Sequence, residues 1–265
     1  INIGLNATPT LFYATTVLEA GGGIMVTGSH NAPHYNGFKL MLGSKPFWGG
    51  EILGLGQRAE VANVTKGVGE ITIKAIRESY VARLMGDYRS GKGLKVAWDS
   101  GNGALGPAMV QLTSCLPGEH ILLNEEVDGN FPAHHPDPTI PENLTQLKNT
   151  VILEKCDLGI AFDGDGDRIG VVDGLGRILW GDQILAILAR DMLEELPGAT
   201  VIADVKASQA LFDEVTRLGG CPVMSATGHT VIKSKMAELK APLAGEMSGH
   251  LSLIHISEPT RRDPI

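Results

Sequence analysis

The chain has 265 residues, 43% of them hydrophobic and 20% charged, with a formal net charge of −8. That is the composition of an ordinary soluble globular protein, long enough for one large domain or two smaller ones with real cores. The negative balance argues against a nucleic-acid backbone as main partner, which calls for a basic face, but leaves a phosphorylated small molecule open.

No apolar run approaches the length of a membrane span, and no basic-then-apolar signal opens the chain. Cys115, Cys156 and Cys221 lack C-x-x-C spacing, which fits buried thiols in a reduced, cytoplasmic compartment. The chain opens INIGLNATPT without Met, so the expectation is that the true start lies upstream.

Short β-branched runs, glycine-bearing turns and amphipathic helices recur from end to end, which points to α/β layers with parallel strands. The first strand is expected over Ile24 to Thr27, leading into Gly28, Ser29, His30 and Asn31, with a second strand over Phe38 to Leu42. A serine just after a strand end is where α/β proteins present ligands, and His30 and Lys39 are candidate proton carriers or phosphate partners. A polar turn bonding to its own backbone is an equal reading of this loop. Ile71 to Tyr88 reads as a helix with Ile76, Tyr80 and Leu84 on one face, and Ser90 to Gly93 as a domain boundary.

Leu94 to Asp99 is the next strand, followed by Gly101 to Gly106 in the pattern G-x-G-x-x-G, with Glu125 and Glu126 about twenty residues on. An NAD-binding oxidoreductase is therefore an alternative. A plain strand-to-helix turn needs the same glycines, with Pro107 in the first helical turn. Val127 to Pro141 is a proline-rich connection, an ordered loop lining a cleft; its adjacent His134 and His135 project to different sides of an extended chain, against a shared metal.

Asp157 to Phe162 is a strand that delivers Asp163, Asp165 and Asp167, spaced by Gly164 and Gly166 and followed by Arg168. Unit charges about 4 Å apart repel by roughly 4 kcal/mol at an effective dielectric near 20. A cation is expected. Oxygen-only ligands suit a hard divalent ion, Mg²⁺ before Zn²⁺. A noncatalytic Ca²⁺-binding module is a further alternative, but as an EF-hand the loop has Arg168 where Gly is needed and Gly174 where Glu is needed. A solvated hairpin turn explains neither the three carboxylates in step nor the arginine.

Ile169 to Asp173 returns as a strand, and Gly181 to Leu196 is a helix ended by Pro197 and Gly198, a second boundary. A strand over Val201 to Val205 ends at Lys206. A helix over Ala210 to Leu218, a strand over Pro222 to Ser225 and a helix opened by His229 and carrying Lys233 follow. Glu246, Ser248 and His250 alternate in LAGEMSGH, which on an extended segment presents three hydrogen-bonding groups to one side, suited to sugar hydroxyls; a buried, satisfied loop is the other reading.

Taken together, TGSHN (Thr27–Asn31), YNGFK (Tyr35–Lys39), DGDGDR (Asp163–Arg168), TGH (Thr227–His229) and GEMSGH (Gly245–His250) resemble the α-D-phosphohexomutase superfamily. Their order and spacing look most like its bacterial phosphomannomutase/phosphoglucomutase branch. The resemblance implies reversible phosphate transfer between O1 and O6 of a mannose or glucose phosphate, through a bisphosphorylated sugar that reorients between two half-reactions. It implies that Ser29 holds the phosphoryl group, with Asp163, Asp165 and Asp167 binding Mg²⁺ beside it and Ser29 a further ligand. Arg168 offsets phosphate charge, while Lys39 and His250 match groups suspected of proton transfer. Glu246 and Ser248 match the sugar-recognition loop, and His30, Lys206 and His229 other cleft residues. Hexose 1,6-bisphosphate is the implied activator. Met247 favours hexose over glucosamine mutases, where the resemblance leads one to expect Gln.

Three departures accompany the resemblance. Ala32 stands where the family usually has Pro, an amino-terminal arginine of the cleft is absent, and after His250 the text LSLIHISEPTRRDPI looks like a translated sequencing-library adapter. The implied architecture is α/β: successive α/β/α domains with mixed, mainly parallel sheets, truncated at both ends. Its expected divisions are an incomplete first domain over 1–92, a second with the metal loop over 93–197, an incomplete third over 198–250 and a non-native tail over 251–265.

Overall fold

The computed structural model describes residues 1–43, 45–61, 67–89 and 91–253. Residues 254–265 of the expected tail, and Ser90 of the expected boundary, lie outside the described residues.

The first unit opens with α1 (Thr8–Val17), whose Pro9 presets the first helical turn. Next come β1 (Gly22–Val26), β2 (Phe38–Leu42), β3 (Lys45–Phe47), α2 (Gly50–Glu60) and α3 (Arg77–Met85). The three strands pair antiparallel in the order β1-β2-β3, so the parallel pairing expected from end to end does not begin here. α1 covers one face, with Leu11 and Thr15 lying where a side chain at Gly23 would fall. Tyr13 and Ala14 of α1 pack with Ile76 and Tyr80. The helix expected from Ile71 begins instead at Arg77, because residues 72–74 are held extended against Asn2, whose N–H reaches the Thr72 carbonyl at 2.7 Å.

In the second unit β4 (Leu94–Asp99), α4 (Gly106–Cys115), β5 (Gly118–Leu123), a short 3₁₀ turn (Pro141–Leu144), α5 (Thr145–Leu153), β6 (Leu158–Phe162), β7 (Ile169–Asp173) and β8 (Ile178–Leu179) follow in order. The sheet runs β5-β4-β6-β7-β8, parallel at β5-β4-β6 and antiparallel beyond. Alternation along β4 sends Val96 and Trp98 to one face, against Met109, and Ala97 to the other, against Leu147 and Val151. With both faces covered, the central strands read as continuous apolar runs.

The third unit holds α6 (Gly181–Glu195), β9 (Thr200–Asp204), α7 (Gln209–Arg217), β10 (Cys221–Ser225), α8 (His229–Leu239), β11 (Leu243–Gly245) and β12 (Leu251–Leu253), with sheet order β10-β9-β11-β12. Again the centre is parallel and the last pair antiparallel. Leu185, Ala189 and Leu193 of α6 bury against Val201, Ala203 and Leu243. That packing sets α6 with the third sheet rather than with the residues before Pro197. Leu251–Leu253, read from the sequence as the start of the tail, pair with β11. No helix among the described residues is long and apolar enough to cross a membrane.

Candidate active site

The reactive groups gather where the carboxyl ends of β1 and β6 face each other. The loop after β1 brings Ser29, and the hairpin between β6 and β7 brings Asp163, Asp165 and Asp167. Ser29 is held at φ 51°, a left-handed conformation unusual for a residue with a side chain. Its N–H donates to Thr27 Oγ1 at 2.8 Å. Ser29 Oγ lies 2.8 Å from Asp163 Oδ2, 3.1 Å from Asp165 Oδ1 and 3.1 Å from His30 Nδ1.

Asp163 and Asp165 are buried and Asp167 is half-buried, and one oxygen from each lies within 4.8 Å of the others. Asp163 Oδ1 accepts the N–H groups of Asp167 at 2.9 Å and Arg168 at 3.1 Å. Burial, followed by the negative charges of Asp167 and Asp165, pushes its carboxyl up to about 7. Asp167 is opposite in character. Burial opposes its ionisation, but His250 and the ammonium of Lys39 outweigh burial and hold it far below the usual carboxylate range. Lys39 Nζ donates to Asp165 Oδ2 at 2.7 Å and Asp167 Oδ2 at 2.5 Å. Its own burial works against the charge, yet the two carboxylates raise its pKa.

The donor set fits a hard divalent cation: three carboxylates converging with a hydroxyl, all of them oxygen donors. The hairpin is flanked by strands, which removes the helix-loop-helix of an EF-hand.

The glycine turn after β4 supports this hairpin. Gly103 lies where any side chain would fall 2.8 Å from the Gly164 carbonyl, and Ala104 donates its N–H to that carbonyl at 2.9 Å. A side chain at Gly106 would overlap the Glu125 carbonyl. The space that a pyrophosphate would need at a dinucleotide turn is filled by backbone, so this turn is structural.

Three expected residues join from the third unit and the hairpin's end. His250 Nδ1 stands 3.7 Å from Asp167 Oδ1, and the His229 and His250 rings are 5.1 Å apart. Burial, then the charges of His250 and Lys233, lower His229 to about 4. Arg168 Nη1 is 3.3 Å from His30 Nε2; burial and then that guanidinium lower the His30 pKa.

Glu246 is turned inward, its Oε1 accepting the Gly228 N–H at 2.7 Å. The segment from Glu246 to His250 is not extended as its alternation suggested. It is a tight turn, closed by Glu246 N–H to the His250 carbonyl at 3.0 Å and by Gly249 at φ 80°. The β11–β12 hairpin requires that reversal. Ser248 is half-buried in it, and Lys206 stands exposed in the turn after β9. Neither bonds to the carboxylate cluster among the described residues.

Sequence reasoning missed Thr8, whose Oγ1 donates to Asp165 Oδ2 at 2.7 Å, and Thr27 in the same role at 3.0 Å. It named Lys233 without a role; its Nζ lies 3.8 Å from the centre of the Phe12 ring. The Thr-Pro pair signals the start of α1 but not the contact that Thr8 makes with Asp165. A cavity of about 870 Å³ lies between α1 and β1, lined mainly by apolar residues such as Leu11, Ile24 and Val26, and meets the hairpin only at Gly164 and Asp165.

Family models described as phosphoglucomutase/phosphomannomutase, alpha/beta/alpha domains I, II and III, match residues 1–46, 73–176 and 180–263. A phosphomannomutase/phosphoglucomutase of Pseudomonas aeruginosa is 46% identical over 250 residues, 94% of this chain and 54% of the relative. A phosphoglucomutase of Neisseria gonorrhoeae is 41% identical over 95% of this chain and 55% of its own length. A crystal structure of a phosphoglucomutase/phosphomannomutase family protein from Burkholderia thailandensis superposes with a TM-score of 0.91 at 41% identity, covering 96% of this chain and 57% of that one. The chain spans about half the length of the curated relatives it matches.

Proposed function

Because the chain belongs to the phosphoglucomutase/phosphomannomutase family of the α-D-phosphohexomutase superfamily, we propose that it carries the phosphoserine and metal half of a hexose-phosphate mutase. The reaction is the reversible conversion of mannose or glucose 1-phosphate to the 6-phosphate, through a hexose 1,6-bisphosphate that also primes the enzyme. The observation that carries this reading is Ser29 Oγ in hydrogen-bond contact with both Asp163 and Asp165.

Phosphoryl transfer asks mainly for alignment and charge neutralisation. Phosphorylated on Oγ, Ser29 gives its phosphoryl group to the free hydroxyl of the hexose monophosphate; that hydroxyl loses its proton as the new P–O bond forms, the bond to Oγ breaks, and Oγ is left protonated beside the 1,6-bisphosphate. After the sugar reorients, Ser29 Oγ, fixed by its left-handed backbone and by Asp163, gives up its proton and takes the other phosphoryl group as that P–O bond to the sugar breaks, and the sugar oxygen leaves as a protonated hydroxyl. Asp163, Asp165, Asp167 and Ser29 would hold Mg²⁺, which would supply Lewis-acid neutralisation of phosphoryl oxygens. Arg168 and His30 stand beside the serine to meet phosphate charge. Lys39 and His250 flank Asp167 and exchange protons with the sugar hydroxyls. The resemblance assigns Ser248, His229 and Lys206 to the sugar and its far phosphate, and Glu246 to the same loop, where its Oε1 accepts the Gly228 N–H. Cys156 is buried as expected, but Cys115 and Cys221 are exposed; all three are unpaired, which supports a cytoplasmic setting.

The test is intact-mass spectrometry after incubation with glucose 1,6-bisphosphate and Mg²⁺. One added phosphoryl group is expected in the wild type and none in Ser29→Ala. Labelling that persists in the alanine variant, or its absence from a folded wild type, would overturn the assignment.

A further inference from the structure

We propose that Thr8 is a positioning residue that commits Asp165 to bind a divalent cation through Oδ1 alone. The inference rests on the reading of Asp163, Asp165 and Asp167 as a cation site. Thr8 is separated from Asp165 by 157 positions, is fully buried, and begins α1.

It grips Asp165 twice. Its Oγ1 donates to Asp165 Oδ2 at 2.7 Å, and its backbone N–H donates to the Asp165 carbonyl at 2.8 Å. The second bond satisfies one of the N–H groups that a helix start leaves without an internal partner. Ala7 reinforces the contact, its Cβ lying 3.2 Å from where a side chain at Gly166 would begin.

The two carboxylate oxygens of Asp165 are thereby made unlike. Oδ2 takes three donors: Thr8 Oγ1, Thr27 Oγ1 at 3.0 Å and Lys39 Nζ at 2.7 Å. Oδ1 turns toward Ser29 Oγ at 3.1 Å. An oxygen with three donors has no lone pair left for a metal, so Asp165 is held as a one-oxygen ligand. Outer partners of this kind typically alter metal affinity by about 10–100-fold when removed.

The test is Mn²⁺ binding, read by electron paramagnetic resonance, on this chain and on Thr8→Ser, Thr8→Ala and Thr8→Val. Thr8→Ser should bind Mn²⁺ within about twofold of wild type, while Thr8→Ala and Thr8→Val should bind about tenfold more weakly or worse. If the valine variant does not fold, the Ala–Ser pair decides, since both lack the γ-methyl and differ only in the hydroxyl. Equal binding by the Ala and Ser variants would overturn the role of Thr8 while leaving the cation site standing. A folded wild type that does not bind Mn²⁺ would overturn both.

Discussion

Gly164 lies so close beneath Ser29 that a methyl group added to it would overlap the Ser29 carbonyl oxygen. The two belong to loops from different sheets, so this contact sets how far the serine stands from the carboxylates. The obstructing atom is backbone and cannot rotate away. Gly164→Ala is therefore expected to destabilise the fold by about 1–3 kcal/mol and to separate Ser29 from Asp163. Thermal melting should show the first effect, and a loss of Ser29 phosphorylation larger than the fraction unfolded the second. An alanine variant that phosphorylates at the wild-type rate would show that the approach is not needed.

His134 and Asp99 form a second polar centre behind the glycine turn. Asp99 is fully buried and accepts from His134 Nε2, the Gly101 N–H and Asn124 Nδ2, each at 2.9 Å. The hydrogen bond to Asp99 raises the His134 pKa above its ordinary 6.5 against the opposing effect of burial. With the folded value above the unfolded one, the stabilisation is complete below pH 6.5 and is lost as pH rises through the folded pKa. Urea midpoints of the wild type and His134→Gln should thus differ most in acid and converge in mild alkali. A difference independent of pH would mean that His134 acts only through packing.

How much of this was legible beforehand depends on how local each contact is. Asp163 to Arg168 stood out because three like charges in step call for a compensating positive charge, and β6 and β7 fall close to where apolar runs put them. Ser29 was legible from its place after a strand. Thr8 was not, because its partner is 157 positions away and a buried threonine at a helix start looks like any other. α1 buries Thr8, Thr10 and Thr15 together with Leu11, Tyr13 and Ala14, so it is covered nearly all round and has no single apolar stripe to reveal it. The late start of α3 reflects the strand-like pairing of residues 72–74 with Asn2, a tertiary contact that outweighs local helical pattern. The turn at Glu246 to His250 misled for the opposite reason: polar alternation looked extended, while Gly249 allowed a reversal.

Lys233 presents a cost hidden within the cleft. Its ammonium rests on the Phe12 ring at 3.8 Å, and burial lowers its pKa to about 8 from 10.5. Between those values the unfolded chain holds a proton that the folded chain has released, so stability rises with pH there. Below about pH 8 the penalty is fully present, on the order of 3 kcal/mol, offset by about 0.5–2 kcal/mol from the cation–ring contact. Lys233→Met should therefore melt at least as high as wild type at pH 7 in chelator-treated buffer. Its advantage should shrink as pH rises from 8 toward 10.5. A methionine variant that melts well below wild type at pH 7 would show that the ammonium is held by more than Phe12.

Lys39 is the internal counter-ion of the cluster, bridging Asp165 and Asp167, both nearly closed to solvent. Removing one partner of a buried ion pair typically costs about 3–5 kcal/mol, because the other charge is left without compensation. Lys39→Met should accordingly lower the melting temperature when divalent ions are chelated. The effect of added Mg²⁺ then separates two roles. Lys39 holds the Oδ2 atoms of both aspartates, whereas Asp165 Oδ1 faces Ser29; its positive charge therefore repels a cation nearby without occupying that oxygen. With the lysine gone, only His250 at 3.7 Å from Asp167 and the divalent ion are left to compensate the carboxylates, so Mg²⁺ should raise the melting temperature of Lys39→Met by more than it raises that of wild type. A smaller Mg²⁺-induced shift in the variant would mean that the ammonium gathers the carboxylates into their binding geometry, and that this ordering outweighs the repulsion.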